Sequence, residues 1–469
     1  MLGFVDRERE LRSLADVWDW AGAQFLVLYG RRRTGKTALL LHFAQDRPTV
    51  YWMASQSSAA SLLRGFSQAV WQYANPGTPV EEDFSFPSWE MAFRYVADLA
   101  RDSRLMLIVD EFPYAVDADP RLPSLLQGAW DHHLKATQVF LALAGSHVGM
   151  MERYVMAYRA PLYGRATAQL HLQPMAFSDA RQFVPRYSLP AALTTYAIVG
   201  GIPAYLERFD DRRSVEANVC SRVLAPTSMF QIDPLYLLNE ALREPRHYFA
   251  VLEAIGAGHR TLSEIAQAAG LERTNVPKYL STLVSLGIVE RRTPLKPGPR
   301  SHQQRGLYFI SDPYLRFYFR FIVPYQSDLQ RGEVDRVWGA IEEQLPAFVG
   351  STVFEELCRA WVQTQGARGN LPFRPTEVGS YWDRHTQVDV VALSTSERAV
   401  LMGEARYTSR PVGSDVLAGL ADKATRLTPP GWQAHLALFS RSGFTEDLKT
   451  QADRQGTFLV DLEQVVAPV

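Results

Sequence analysis

The sequence predicts an α/β protein, and three stretches carry that expectation. An apolar run, Phe25–Tyr29, leads straight into Gly30-Arg31-Arg32-Arg33-Thr34-Gly35-Lys36-Thr37 and then into the helix formers Ala38, Leu39 and Leu40. A second run, Leu105–Val109, ends in Asp110 and Glu111, and a third, Val139–Ala144, ends in Gly145 and Ser146. Unbroken apolar runs of strand length are what a parallel sheet buried on both faces requires.

The first stretch has the G-x-x-x-x-G-K-[ST] spacing in a strand–loop–helix setting. Its glycines let backbone N–H groups turn inward around phosphates, at the positive end of the following helix. Gly30, Arg31, Arg32, Arg33, Thr34, Gly35, Lys36, Thr37 and Ala38 are therefore expected to cradle ATP. Lys36 would bridge the β- and γ-phosphates, and the Thr37 hydroxyl would ligate Mg²⁺. The three loop arginines read as solvated or partner-facing, not catalytic.

The second stretch then reads as the strand that holds the metal. Asp110, at its carboxyl end, would support the Mg²⁺ shell, and Glu111 would orient or deprotonate the attacking water. Ser146, at the tip of the third strand, either senses the γ-phosphate or simply ends a strand. Arg165 precedes another strand-like run, Ala168–Leu172. It is either a surface residue or a cation that reaches a neighbouring subunit's nucleotide, which implies a homo-oligomer. Upstream, Phe4–Leu11 begins an amphipathic helix with Leu11 and Leu14 on one face, which is either a plain N-terminal helix or, from its position ahead of the loop, a box that packs on adenine.

Composition bounds the rest. A chain of 469 residues exceeds what one core usually serves, so three or four domains are expected. The net charge of −1 means that any nucleic-acid site is a local basic patch. Cys220 and Cys358 lie far apart, which indicates neither a disulfide framework nor a zinc site and suits a reducing cytoplasm. The charged start, Asp6 to Glu10, is unlike a signal peptide. No apolar run approaches the roughly 18 residues that would span a membrane. A cytoplasmic protein with no membrane partner is the expectation.

From Glu244 the pattern changes to short helices. Thr261–Leu271 has a Ser/Glu cap and a helix ended by Gly270, and Thr274–Leu286 gives a second amphipathic helix. The basic turn Arg291–Arg305 and the apolar strand Leu307–Ile310 complete winged-helix grammar. Arg273, Thr274, Asn275, Lys278 and Tyr279 lie at the start and exposed face of the second helix. The turn carries Arg291, Arg292, Lys296, Arg300 and Arg305 and no acid. Such a unit binds DNA phosphates in a salt-dependent way or serves as a protein–protein module.

Further on, the aromatic stripe Asp312–Phe321 reads as core. Two strand-like runs, Thr386–Leu393 and Ala399–Ala405, bear Asp389 and Glu404, with Arg406 two residues past the second carboxylate. Two carboxylates on adjacent strand ends beside a cation can hold a divalent metal, Mg²⁺ or Mn²⁺, and a scissile phosphate.

With these residues in hand the chain resembles the archaeal-type ATPase family, a branch of the AAA+ and STAND-like P-loop ATPases. The carriers are FVDREREL, GRRRTGKT, LIVDEFPY, LALAGSHVGMM, APLYGRAT, LQPMAF and GGIPAYL. The family pattern has Gly where Asp6 stands. The resemblance implies an AAA+-like core over residues 1–175 and a helical lid over 176–240. A winged helix over 241–325 and a restriction-endonuclease-like α/β domain over 326–469 would follow. That last domain resembles the PD-(D/E)xK nucleases. The resemblance makes Glu355 the helix carboxylate, and Asp389 and Glu404 further metal ligands, but Arg406 stands where the pattern has Lys. A guanidinium stays protonated, so it can stabilise phosphate but cannot act as a base. The domain is then an active nuclease, a DNA-binding remnant or a structural element. The function implied is an ATP-hydrolysing, DNA-binding protein that cuts or remodels branched or broken DNA. The alternatives are a STAND-type nucleotide-gated switch and a nucleotide-gated protein scaffold.

Overall fold

The computed structural model describes residues 4–242, 244–298 and 306–467. Of the basic wing residues, Arg300 and Arg305 lie outside these. The chain divides into two compact units, Met1–Met175 with Ile202–Ala204, and Ala176–Gly201 with Tyr205–Val469.

The first unit opens with α1 (Glu8–Asp19), followed by β1 (Gln24–Tyr29), α2 (Lys36–Ala44) and β2 (Thr49–Met53). After α3 (Ala59–Ala74) and α4 (Trp89–Leu99) come β3 (Leu105–Asp110), β4 (Val139–Gly145) and β5 (Ala168–His171). All five strands pair in parallel in the order β2-β3-β4-β1-β5. Alternate residues of β1 to β4 enter two different cores, whereas the edge strand β5 buries only one face. Leu105, Leu107 and Val109 pack with Phe66 of α3 and Trp89 and Phe93 of α4. Met106 and Ile108 pack with Leu14 of α1 and Leu39, Leu40 and Phe43 of α2. Both faces are thus covered, which is why the sequence runs show no polar alternation. The carboxyl ends of β3, β4 and β1 lie side by side, where open α/β sheets place their ligands.

Asp6, the position where the family pattern has Gly, takes φ 56, in the left-handed region that glycine enters without steric cost. Asp is among the few other residues that tolerate it.

In the second unit, helices Pro245–Gly256, Leu262–Ala268 and Val276–Ser285 precede β6 (Val289–Arg292) and β7 (Leu307–Ile310). The two strands pair antiparallel, from Val289 opposite Ile310 to Arg292 opposite Leu307. The middle helix is capped by Thr261, not Ser263. Thr261 Oγ1 accepts from the Glu264 amide, and the Glu264 carboxylate accepts from the Thr261 amide. The aromatic stripe is core, as expected: Tyr314, Phe317, Tyr318, Phe319 and Phe321 are all fully buried.

The C-terminal part begins with helix Glu355–Ala367, then β8 (Glu377–Trp382), β9 (Gln387–Ser394) and β10 (Ala399–Arg406). Helix Ser414–Leu427 crosses to β11 (Gln433–Ser440), and β12 (Phe458–Asp461) closes the sheet. The order is β12-β11-β10-β9-β8, with β8, β9 and β10 antiparallel and β10, β11 and β12 parallel. No helix among the described residues is long and apolar enough to cross a membrane.

Candidate active site

The loop between β1 and α2 is shaped by two glycines. At Gly30, with φ 155, a Cβ would stand 2.4 Å from the Leu172 carbonyl oxygen, so the close approach of β1 to the chain after β5 admits no side chain. Gly35 enters α2 at φ 94, a conformation that L side chains rarely adopt. The nearest atom to a Cβ there would be the Pro203 ring, 3.9 Å away. Of the segment GGIPAYL, Ile202–Ala204 group with the loop's unit.

Lys36 is 5% exposed, and its Nζ donates to the carbonyls of Gly30 (2.9 Å) and Arg31 (3.0 Å). Thr37 Oγ1 donates to Asp110 Oδ2 at 2.6 Å. Asp110 is fully buried and accepts a second hydroxyl, that of Tyr51 on the neighbouring strand β2, at 3.2 Å. Burial, and then the Asp110 charge, push the Tyr51 phenol well above its usual range, so it remains a donor. Glu111 follows with φ 50 and ψ 42, a costly backbone conformation for a non-glycine residue and one found disproportionately at functional sites. The turn aims its carboxylate at β4, where Ser146 Oγ donates to Oε2 at 2.8 Å. Lys36, Thr37, Asp110, Glu111 and Ser146, separated in sequence, thus meet at three adjacent strand ends.

This donor set suits a nucleotide's phosphates with Mg²⁺. The ion keeps much of its octahedral shell for water and phosphate and takes only one or two protein ligands. No group of three His, Cys, Asp or Glu residues able to hold a metal occurs among the described residues.

Two residues here were not read from the sequence. Arg7 is buried and donates to the carbonyls of Thr34 (3.0 Å) and Gln173 (2.8 Å) as well as to Glu10 (2.8 Å), tying the segment before α1 to the loop. Tyr51 is the other. Apart from Glu10, their partners lie 27, 166 and 59 residues away, so no local pattern could reveal those contacts. Arg165 is held within its own chain, with its Nη2 at 2.8 Å from Asp131 Oδ2.

A second centre lies in the C-terminal sheet. Asp389 and Glu404 are 5% and 3% exposed, and the Ala405 amide donates to Asp389 Oδ2 at 3.0 Å. Arg406 Nη2 lies 2.7 Å from Glu404 Oε2 and its Nη1 3.7 Å from Asp389 Oδ2. A lysine from helix Ser414–Leu427, Lys423, stands 2.6 Å from Glu404 Oε1 and also donates to the Gln387 carbonyl. The sequence reading missed it because it is 19 residues past Glu404. Glu355 is 3.4 Å from Arg359. Burial, and then the Asp389 charge, raise its carboxyl to about 8. The expected trio of Glu355, Asp389 and Glu404 is not gathered into a three-ligand cluster, and cations contact all three carboxylates.

On the helix–turn–helix, Arg273, Thr274, Asn275 and Lys278 are exposed, as are Arg291 and Lys296 on the wing. Two expected contacts are otherwise engaged. Tyr279 packs edge-on to Tyr248 and bonds His247. Arg292 turns inward to Glu290 and to Glu356, the latter at 2.6 Å.

Residues 4–209 match a family described as an ATPase domain predominantly from Archaea. Residues 247–293 match the IclR helix-turn-helix domain, and 318–416 a family of archaeal and bacterial proteins of unknown function. An uncharacterised protein of Methanocaldococcus jannaschii is 32% identical over 408 residues, covering 86% of this chain and 87% of that protein. A solved Walker-type ATPase of Pyrococcus abyssi is similar with a TM-score of 0.50 at 19% identity, over 68% of this chain and 96% of its own. The Aeropyrum pernix ORC2 protein aligns over 71% of this chain and 97% of its own, with a TM-score of 0.33 and 14% identity.

Proposed function

The chain belongs to the ATPase family found predominantly in Archaea, and on that premise we propose that it is an ATP-hydrolysing, DNA-binding protein. The observation that carries the reading is the meeting of Thr37 with Asp110 and of Glu111 with Ser146 at adjacent strand ends. Lys36 exchanges its loop carbonyls for the β- and γ-phosphates. Thr37 and Asp110 would hold a Mg²⁺ ion, which would supply positive charge against the phosphates. Glu111 orients the attacking water, and Ser146 holds that carboxylate in position and senses the γ-phosphate. ATP turnover of the purified chain tests this. Lys36→Ala should abolish binding and turnover, whereas Glu111→Gln should retain ATP and lose turnover by roughly 100-fold or more. Persistent turnover in Glu111→Gln would remove that residue from the chemistry.

DNA meets the exposed Arg273, Lys278, Arg291 and Lys296 of the winged helix. At the C-terminal centre, Asp389 and Glu404 would hold a divalent metal only in exchange for their cation contacts. The metal would supply charge for phosphodiester cleavage, and Lys423 would supply the amine that position 406 lacks. A second reading is favoured by the double cation clamp on Glu404. It makes the chain a nucleotide-gated switch whose C-terminal centre does not cut. Incubation with branched, linear and single-stranded DNA in Mg²⁺ or Mn²⁺ separates the two. Cleavage abolished by Glu404→Ala supports the first reading, and binding without cleavage in every condition supports the second.

A further inference from the structure

Within the second unit a cavity of about 730 Å³ lies where the winged helix meets the C-terminal domain. Four guanidinium groups line it, those of Arg260, Arg292, Arg316 and Arg320. Arg316 has a side chain 10% exposed and donates to the Ser311 carbonyl and, at 2.7 Å, to Glu356. Its Nη1 is buried without a hydrogen-bond partner among the described residues. A buried orphan donor on a charged group is costly unless something answers it.

The carboxylates lining the cavity do not balance these cations. Glu356 is shared between Arg292 and Arg316, and Glu290, outside the lining, pairs with Arg292 and lies 4.0 Å from Arg316. Glu343 and Glu355 also line the cavity, but Glu355 is paired with Arg359. Arg260 and Arg320 pair with no carboxylate among the described residues. Arg260 donates to the Tyr308 carbonyl, and Arg320 to Ala257 and Gln344. Burial, and then the charges of Arg316, Arg292 and Arg320, lower the Arg260 guanidinium to about 10.

Aromatic surface accompanies the charge. Arg260 and Arg292 both lie over the Phe309 ring, 4.6 Å from its centroid, and Phe348 and Trp382 add to the wall. Arginines for phosphate and rings for base faces are the elements of single-strand binding. The volume is that of a small-ligand pocket, too small to take a duplex. The cavity also borders the carboxylate centre, since Glu355 and Gln387 line it and Gln387 Nε2 donates to Asp389 at 3.1 Å.

We propose that this cavity binds a phosphate-bearing single strand of nucleic acid, with its phosphates on Arg260, Arg316 and Arg320 and the strand leading toward Asp389 and Glu404. The inference rests on the reading of the chain as a DNA-binding protein, but the two fail separately. Duplex affinity belongs to the winged-helix surface, and short-strand affinity to the cavity.

The test is fluorescence anisotropy of the full chain, without ATP, using a 5′-phosphorylated, 3′-labelled six-thymidine strand and a labelled duplex. Arg320→Glu, at an exposed position that should not disturb folding, and Arg260→Gln should each weaken the short strand at least tenfold and leave the duplex unchanged. Lys278→Glu should do the reverse. The proposal is overturned if the short strand does not bind the wild type. It is also overturned if Lys278→Glu alone weakens that strand, or if thymidine monophosphate competes as well as the strand does. Loss of duplex binding by the wild type alone would sink the winged-helix reading and leave the cavity standing.

Discussion

Asp6, Glu111 and Glu355 each carry a conformational or electrostatic cost. Asp6 sits at φ 56, where a β-branched side chain collides with its own backbone. Asp6→Val should therefore be less stable than Asp6→Gly by about 1–2 kcal/mol in urea unfolding, and equal stability would show that the segment relaxes out of this conformation. Glu111 carries a similar cost at φ 50, stabilised by its bond to Ser146. Glu355 is different, because its cost is one of charge. Its carboxyl is raised from 4.5 to about 8, so between those values the folded chain keeps a proton that the unfolded chain has lost. Its contribution is fully present below pH 4.5 and is lost as pH rises through 8. In EDTA, Glu355→Gln should gain on the wild type over that window, by at least about 1.4 kcal/mol at its upper end. A difference that stays flat from acid to alkali would mean that Glu355 is ionised in the fold.

At the scale of elements, function follows from which side of a helix or strand remains uncovered. Helix Val276–Ser285 buries Val276, Leu280 and Leu283, leaving Lys278 outward beside the exposed Arg273 of the preceding turn. With Arg291 and Lys296 on the wing, four described cations can meet phosphates. The slope of log affinity against log salt for duplex DNA should then be between about −3 and −4. Lys278→Ala should make it shallower by about 0.9. An unchanged slope would place the DNA elsewhere on the chain. Arg292 is excluded from this set because Glu290 and Glu356 draw it inward.

At the scale of the whole molecule, the question is whether one chain completes its own site. Arg165 is the residue from which an assembly was expected, and Asp131 holds it within the chain. A role at a neighbouring nucleotide requires that pair to open. Mixing Lys36→Ala with Arg165→Ala chains provides the test, because an intact loop on one chain can then meet an intact Arg165 on another. Turnover several-fold above that of either variant alone is expected for action between subunits. No recovery would leave Arg165 a structural partner of Asp131.

Much of the candidate site was legible in the sequence because its parts are local. The spacing from Gly30 to Thr37, the apolar run ending in Asp110 and Glu111, and the run ending before Ser146 each report on a few consecutive residues. Strand burial on both faces translates directly into such runs. The helix–turn–helix was legible for the same reason, through its caps and periodicity. Tertiary structure decided whatever depends on partners distant in the chain. It placed Arg7 on the loop carbonyls and Tyr51 on Asp110, brought Lys423 to Glu404, and turned Arg292 away from the wing surface. A hydrogen bond or ion pair needs only that two groups meet in space, so the chain between them leaves no periodic trace of it. The sequence by itself determined which chemistry each segment could offer, and the tertiary structure decided which charges would answer one another.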